Sequence, residues 1–298
     1  MNTHVPRVCA SNSPAWTFDY IDRCVTHFER GNWELFDKES PPESVGQANP
    51  YSRLVNLYNA LQGGLSNFTL NSRARVSRVK QRLQYARDRE PRLLKTLADT
   101  YVSSGRMLKL WKEIAAVRRL FVENYDALQP LVQIKYWRDE LQDVTQFEVS
   151  TKRFNEGRQL YIDTFETLCR LLVITGAYEG IILNGEIGVP TTKRVVPVDE
   201  FEQFPNAAKR DVLSRLPVGD LFVPVLDTDL RNGVGHHSAH YEPDSDRVVL
   251  YDTKAGATVS RMIRYTEFCQ GVLDLFAVFE LAAMYHHSLH LLTNGRFA

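Results

Sequence analysis

The sequence is poor in cysteine and has no excess of either charge. Four cysteines (Cys9, Cys24, Cys169, Cys269) stand far apart with no Cys-x-x-Cys pair, which excludes a stapled secreted fold and points to a reducing compartment. Thirty-six basic residues balance thirty-six acidic ones, so the molecule as a whole is no electrostatic magnet for nucleic acid or membrane. A Gly-rich phosphate loop, a Gly-x-Ser-x-Gly elbow and a convincing Cys-His dyad are all missing. The opening MNTHVPRVCASNSP has no apolar stretch suited to a signal peptide. The most apolar run, FCQGVLDLFAVFELAAMYHH, is interrupted by Gln270, Asp274 and Glu280 and reads as a buried or amphipathic helix, not a membrane span. A cytoplasmic protein without a membrane partner is expected.

What is present is mostly helical pattern. Trp16, Tyr20, Cys24 and Phe28 make an opening stripe, 38–50 reads as a loop, and the pattern resumes near Ser52. From about Ser72 to about Asn124 the pattern, with apolar positions such as Leu93, Trp111 and Phe121, predicts two long helices divided at Glu90-Pro91, then a short helix from after Pro130 to about Leu141. A polar link near 142–150 places a domain boundary, giving a helical region 1–145 and a second helical domain 146–298. In the latter a helix is expected from Lys152 to about Ala177, ended with the help of Gly176 and Gly180. A loop with a short extended piece, two shorter helices, a small β-hairpin on either side of 254–257 and a helix from Tyr265 to about Leu292 follow.

Charge is unevenly spread. Residues 1–145 carry 21 Lys+Arg against 16 Asp+Glu, and the remainder 15 against 20, so the halves carry +5 and −5. Within 73–119 there are 14 basic residues against four acids, an excess of ten. A helical surface bearing Arg73, Arg75, Arg78 and Arg82 either holds an RNA backbone through phosphate contacts or pairs with the acidic C-terminal half. Tyr85 and Tyr101 are interleaved there, as core residues or as stacking platforms.

The densest chemistry is in RNGVGHHSAHYEPDSDRVVLYD, from Arg231 to Asp252. Three of the eight histidines lie here, and three more form the echo HHSLH at His286, His287 and His290. On a helix, Asn232 and His236 lie about 40° apart, while Arg231 lies about 140° from His236 and reaches it only with its long side chain or from a second copy. Asp227 or Asp229 is the expected N-cap. Guanidinium, amide and imidazole together suit a phosphodiester: His moves a proton near neutral pH, Arg neutralises charge developing on phosphorus, and Asn orients. RNA brings its own nucleophile, the 2′-hydroxyl, so no metal or other cofactor is needed.

The string DTDLRNGVGHH resembles the signature of the HEPN superfamily (higher eukaryotes and prokaryotes nucleotide-binding), in which an Arg, followed by a polar residue, precedes a His by four to six positions. Arg231, Asn232 and His236 match it. The run over about 227–285, with Tyr-Glu, a hairpin and a long apolar helix after the motif, resembles the abortive-infection-like branch. The resemblance implies a helical bundle that dimerises with its motifs facing each other. It also implies a metal-independent endoribonuclease of toxin–antitoxin or antiphage defence, restrained by an antitoxin or another defence protein. The catalytic set would be Arg231, Asn232 and His236, with His237, His240 and Tyr241 among the RNA contacts. A catalytically silent HEPN-like module that binds RNA, a nucleotide or a protein is the other class of outcome.

Two further readings belong beside these. Gly233 and Gly235, where family members often carry Ala, cost a helix about 1 kcal/mol each. The i,i+4 pairs His236/His240 and His286/His290 have chelating spacing, but without His-Glu-x-x-His or a Cys pair no metal is expected. His286, His287 and His290 are expected at the wet C-terminal end of the last helix.

Overall fold

The computed structural model describes residues 23–24, 26–28, 30–39, 55, 58, 73–137, 154–235, 239–252 and 258–293. The chain is mainly helical, with small antiparallel sheets. The described elements begin with α1 (Trp33–Glu39), α2 (Arg73–Arg89), α3 (Pro91–Ser103), α4 (Arg106–Glu123), α5 (Tyr125–Trp137) and the long α6 (Phe154–Asn184). They continue with β1 (Val189–Pro190), β2 (Val195–Val196), α7 (Val198–Glu202), α8 (Asn206–Leu213), α9 (Gly219–Phe222) and α10 (Thr228–Gly235). The strands β3 (Ala239–Glu242), β4 (Arg247–Asp252) and β5 (Thr258–Arg264) then lead into α11 (Tyr265–Leu292).

The two longest helices, α6 and α11, pack along each other and organise the rest. Both are apolar around most of their circumference, the pattern of a helix covered on all sides. By length and composition α11 is long and apolar enough to cross a membrane, and 78% of its most apolar window is buried inside the fold. Helices α2 to α5 cover one side, so one continuous apolar core runs from Cys24 and Phe28 through Trp111 and Phe121 to Phe276 and Leu289. Phe121 of α4 stacks on Phe276 of α11 at 3.8 Å, and one turn along Arg118 grips Glu280 with two hydrogen bonds of 2.9 and 2.8 Å. The expected boundary at 142–150 and the turn at 254–257 lie outside the described residues.

Several expected boundaries move, each for a local reason. The segment from 73 to 123 forms three helices, not two, because Gly105 takes a left-handed φ of 71° and adds a second break to the one before Pro91. Helix α5 starts at Tyr125 and carries Pro130 inside it, instead of starting after that proline. Helix α6 runs past Gly176 and Gly180 to Asn184 and stops where Gly185, at φ 68°, turns the chain and donates its amide to the Ile181 carbonyl. Gly176 and Gly180 serve close approach instead of termination. A Cβ on Gly180 would stand 1.9 Å from the Gly188 carbonyl oxygen, and one on Gly176 would meet Val189 at 2.9 Å. The Gly180→Ala variant is therefore expected to lose roughly 3 kcal/mol or more, read as the midpoint shift in urea unfolding, because backbone must move to admit the methyl group.

The hairpin of β4 and β5 is present, and β3 extends it to a three-stranded sheet in the order β3-β4-β5. The turn EPDSD joins β3 to β4 with Asp246 at φ 50°, where its carboxylate accepts from the Tyr241 hydroxyl at 2.8 Å and its carbonyl from the Tyr265 amide at 3.0 Å. A second small pair, β1 with β2, occupies the loop after α6.

The histidine echo is not at a wet helix end. His286 and His290 are fully buried and His287 nearly so, on the face of α11 that meets α4. His287 stacks on Tyr58 at 4.0 Å, with Trp111 alongside, and neither of its ring nitrogens has a hydrogen-bond partner among the described residues. His286 donates from Nε2 to the Met107 carbonyl at 3.1 Å, and His290 Nδ1 shares a hydrogen bond with the Tyr58 hydroxyl at 2.5 Å. Burial, then the neighbouring His290, pushes the His286 imidazole down to about 3, and burial with Arg118 pushes His287 well below its ordinary value. Proximity to the helix end does not compensate, because an imidazolium there would lose its hydration.

Candidate functional site

Helix α10 carries Arg231 and Asn232 and is held at its start. The Asp227 carboxylate caps it, accepting from the Leu230 amide at 2.8 Å and from Arg261 of β5 at 2.5 Å. Burial raises the Asp227 carboxyl, but the Leu230 amide and Arg261 outweigh it and hold the group below its ordinary value. Leu230 and Val234 point into the core, which turns Arg231 and Asn232 outward. Gly233 lets α10 lie close against the sheet, since a Cβ there would meet Leu250 of β4 at 2.9 Å. The helical cost of that glycine is exchanged for contact, and α10 remains regular through Gly235.

Arg231 is three-quarters buried and Asn232 is exposed. The guanidinium donates from Nη1 to the Asn232 side-chain oxygen at 3.2 Å, and from Nε to Glu166 of α6 at 2.8 Å, with Nη2 also against that carboxylate. The same carboxylate lies 3.5 Å from the Asn206 amide of α8. Sequence reasoning missed Glu166 and Asn206, and no local pattern marks either. His236 and His237 lie outside the described residues.

The expected RNA contacts divide. His240 is exposed on β3 and stacks on Tyr251 at 5.3 Å, whereas Tyr241 turns its ring toward Phe154 and Tyr265 and engages its hydroxyl with Asp246. Arg78 bonds Asp220 at 2.5 Å and the Pro217 carbonyl, and Arg82 binds the fully buried Glu179, with Nε to Oε1 at 3.0 Å. Burial raises the Glu179 carboxyl while Arg82 opposes that rise. Arg75 is partly buried on the same helix, and the side chain of Arg73 lies outside the described residues. Arg106 with Asp199 and Glu202, and Arg118 with Glu280, join the halves in the same way. Much of the basic excess therefore meets the acidic half internally. Tyr101 is core, and Tyr85 remains 44% exposed beside Arg89.

Among the described residues no three His, Cys, Asp or Glu side chains are grouped to hold a metal ion. Cys24, Cys169 and Cys269 are buried, and burial pushes the thiols of Cys169 and Cys269 up to about 12, which leaves these two as packing groups. Comparison with family models, with curated proteins and with solved structures finds no match for this chain.

Proposed function

We propose that the chain is a HEPN-like, metal-independent endoribonuclease of the toxin or antiphage-defence kind, working in the cytoplasm as a homodimer and restrained by a partner protein. One observation carries the reading: Arg231 and Asn232 stand side by side on the outward face of a short, capped helix, within the Arg-Asn-x3-His segment. In this reading His236 moves the proton between the 2′-hydroxyl and the leaving 5′-oxygen, Arg231 takes up the charge developing on the phosphorus oxygens, and Asn232 positions the arginine or the substrate. The attacking oxygen belongs to the RNA, so the products are a 2′,3′-cyclic phosphate and a 5′-hydroxyl.

A second reading, a catalytically silent RNA-, nucleotide- or protein-binding module, draws support from Glu166, whose carboxylate already holds the Nε–Nη2 edge of Arg231. Purified protein and the His236→Ala variant, incubated with total cellular RNA in EDTA, separate the two. Cleavage by the wild type alone with cyclic phosphate ends supports the nuclease, and intact RNA in both supports the binding module.

A further inference from the structure

Two residues outside the motif decide where Arg231 points. Glu166 stands on α6 between Phe165 and Thr167, both buried, in the helix that packs along α11, so its backbone is fixed by the core. Its carboxylate accepts from Arg231 Nε at 2.8 Å and lies against Nη2, the side-on arrangement in which one carboxylate sets the plane of a guanidinium. The competing cation of α6 is engaged elsewhere: Arg170, one turn along, bonds Glu113 at 2.7 Å. Asn206 of α8 places its amide nitrogen 3.5 Å from both Glu166 oxygens and steadies the acceptor from a second helix. With Nε and Nη2 turned to Glu166, Nη1 falls on the side of the exposed Asn232, 3.2 Å from its side-chain oxygen. An arginine side chain has several rotatable bonds, and a helix of eight residues does not by itself choose among their settings.

We infer that Glu166, steadied by Asn206, is a positioning residue: it sets the Arg231 fork so that the Nη1 side, next to Asn232, meets the phosphodiester. The inference rests on the phosphodiester reading of α10 for its ligand, and the contact it concerns is measurable without cleavage. Glu166 itself touches no substrate. Its effect falls on the rate more than on affinity, because a swinging guanidinium still attracts a phosphate but no longer stands where charge builds up in the transition state. The carboxylate offsets part of the arginine's charge, and what it returns is direction.

Glu166→Ala is expected to lower kcat for RNA cleavage by about tenfold to a hundredfold while KM stays within about twofold. Glu166→Gln, which keeps one acceptor for Nε, should fall between that variant and the wild type, and stands in for it if the alanine variant does not fold. In an Arg231→Ala background, Glu166→Ala should cost no further activity, since the group it acts through is gone. A pair that only stabilises the fold would lower the melting temperature with kcat intact, and a carboxylate that inhibits by occupying the arginine would give faster cleavage when removed; either result overturns the inference. Arginine side-chain NMR reads the contact directly. The Arg231 Nε–H signal, assigned by its loss in Arg231→Ala, is expected to exchange with water roughly tenfold faster in Glu166→Ala. In the wild type it should shift on titration with a 2′-O-methyl RNA trinucleotide, which 2′-hydroxyl attack cannot cut. Unchanged exchange in the variant overturns the positioning role even if cleavage falls. A wild type that cuts no RNA but shows both the protection and the shift keeps the positioning role and rejects the nuclease, whereas neither cleavage nor a shift overturns both.

Discussion

Arg231→Ala is expected to lower RNA cleavage by about a thousandfold or more and to abolish growth arrest on expression, with the melting temperature nearly unchanged. The size follows from removing a positioned cation aimed at charge that develops only in the transition state. Stability should change little, because the Arg231–Glu166 pair is partly exposed and Glu166 keeps Asn206 and water as partners. Arg231→Lys is expected to recover only a small part of the rate, since an ammonium cannot hold Glu166 through Nε while offering Nη1 to Asn232. His236→Ala should be equally inactive, with the proton-transfer step removed. Cleavage or growth arrest retained by both alanine variants would sink the nuclease reading.

Acid should destabilise the fold through the histidines of α11. A buried imidazole whose basicity is depressed in the folded chain stays neutral there but takes a proton when unfolded. Its stabilising contribution is complete above the unfolded value of about 6.5 and is lost as pH falls toward the folded value of about 3. For His286 alone this amounts to about 4 kcal/mol by pH 3, a large share of the roughly 5–15 kcal/mol that holds a typical domain together. His287 acts in the same direction, and Arg118 disfavours a second positive charge beside it. Urea unfolding at pH 7, 5.5 and 4 should show the wild-type midpoint falling steeply, and His286→Leu should flatten that fall. Parallel pH profiles for the two proteins would show that this ring is not the titrating group.

The helical class was legible because apolar residues recur at helical spacing, as in Leu97, Tyr101, Trp111, Val117 and Phe121, all buried here. The hairpin of β4 and β5 was legible from its two β-rich runs. Glycine was the hardest residue to interpret. Gly105 and Gly185 turn the chain, while Gly176, Gly180 and Gly233 admit a neighbour, and the same Asn-Gly pair stands at 184–185 and at 232–233 with opposite roles. Only the packing partner tells them apart. The candidate site was half legible: Arg231 and Asn232 share a local motif, but Asn206 and Glu166 come from helices 25 and 65 positions earlier. The histidine echo misled because an imidazole at a helix end is read as solvated by default, and nothing nearby in sequence announces Tyr58 or Trp111.

The Arg118–Glu280 pair also has a meaning in time. Its two members are 162 residues apart, and a ribosome adding about 5–20 residues each second places roughly 10–30 s between them. Throughout that interval the face of α4 that will receive α11 has no cover, and Phe121 awaits Phe276. A nascent chain of this design keeps apolar surface open to solvent for most of its synthesis, and α10 gains its supports, Leu250 of β4 and Arg261 of β5, only after the strands that follow it have emerged.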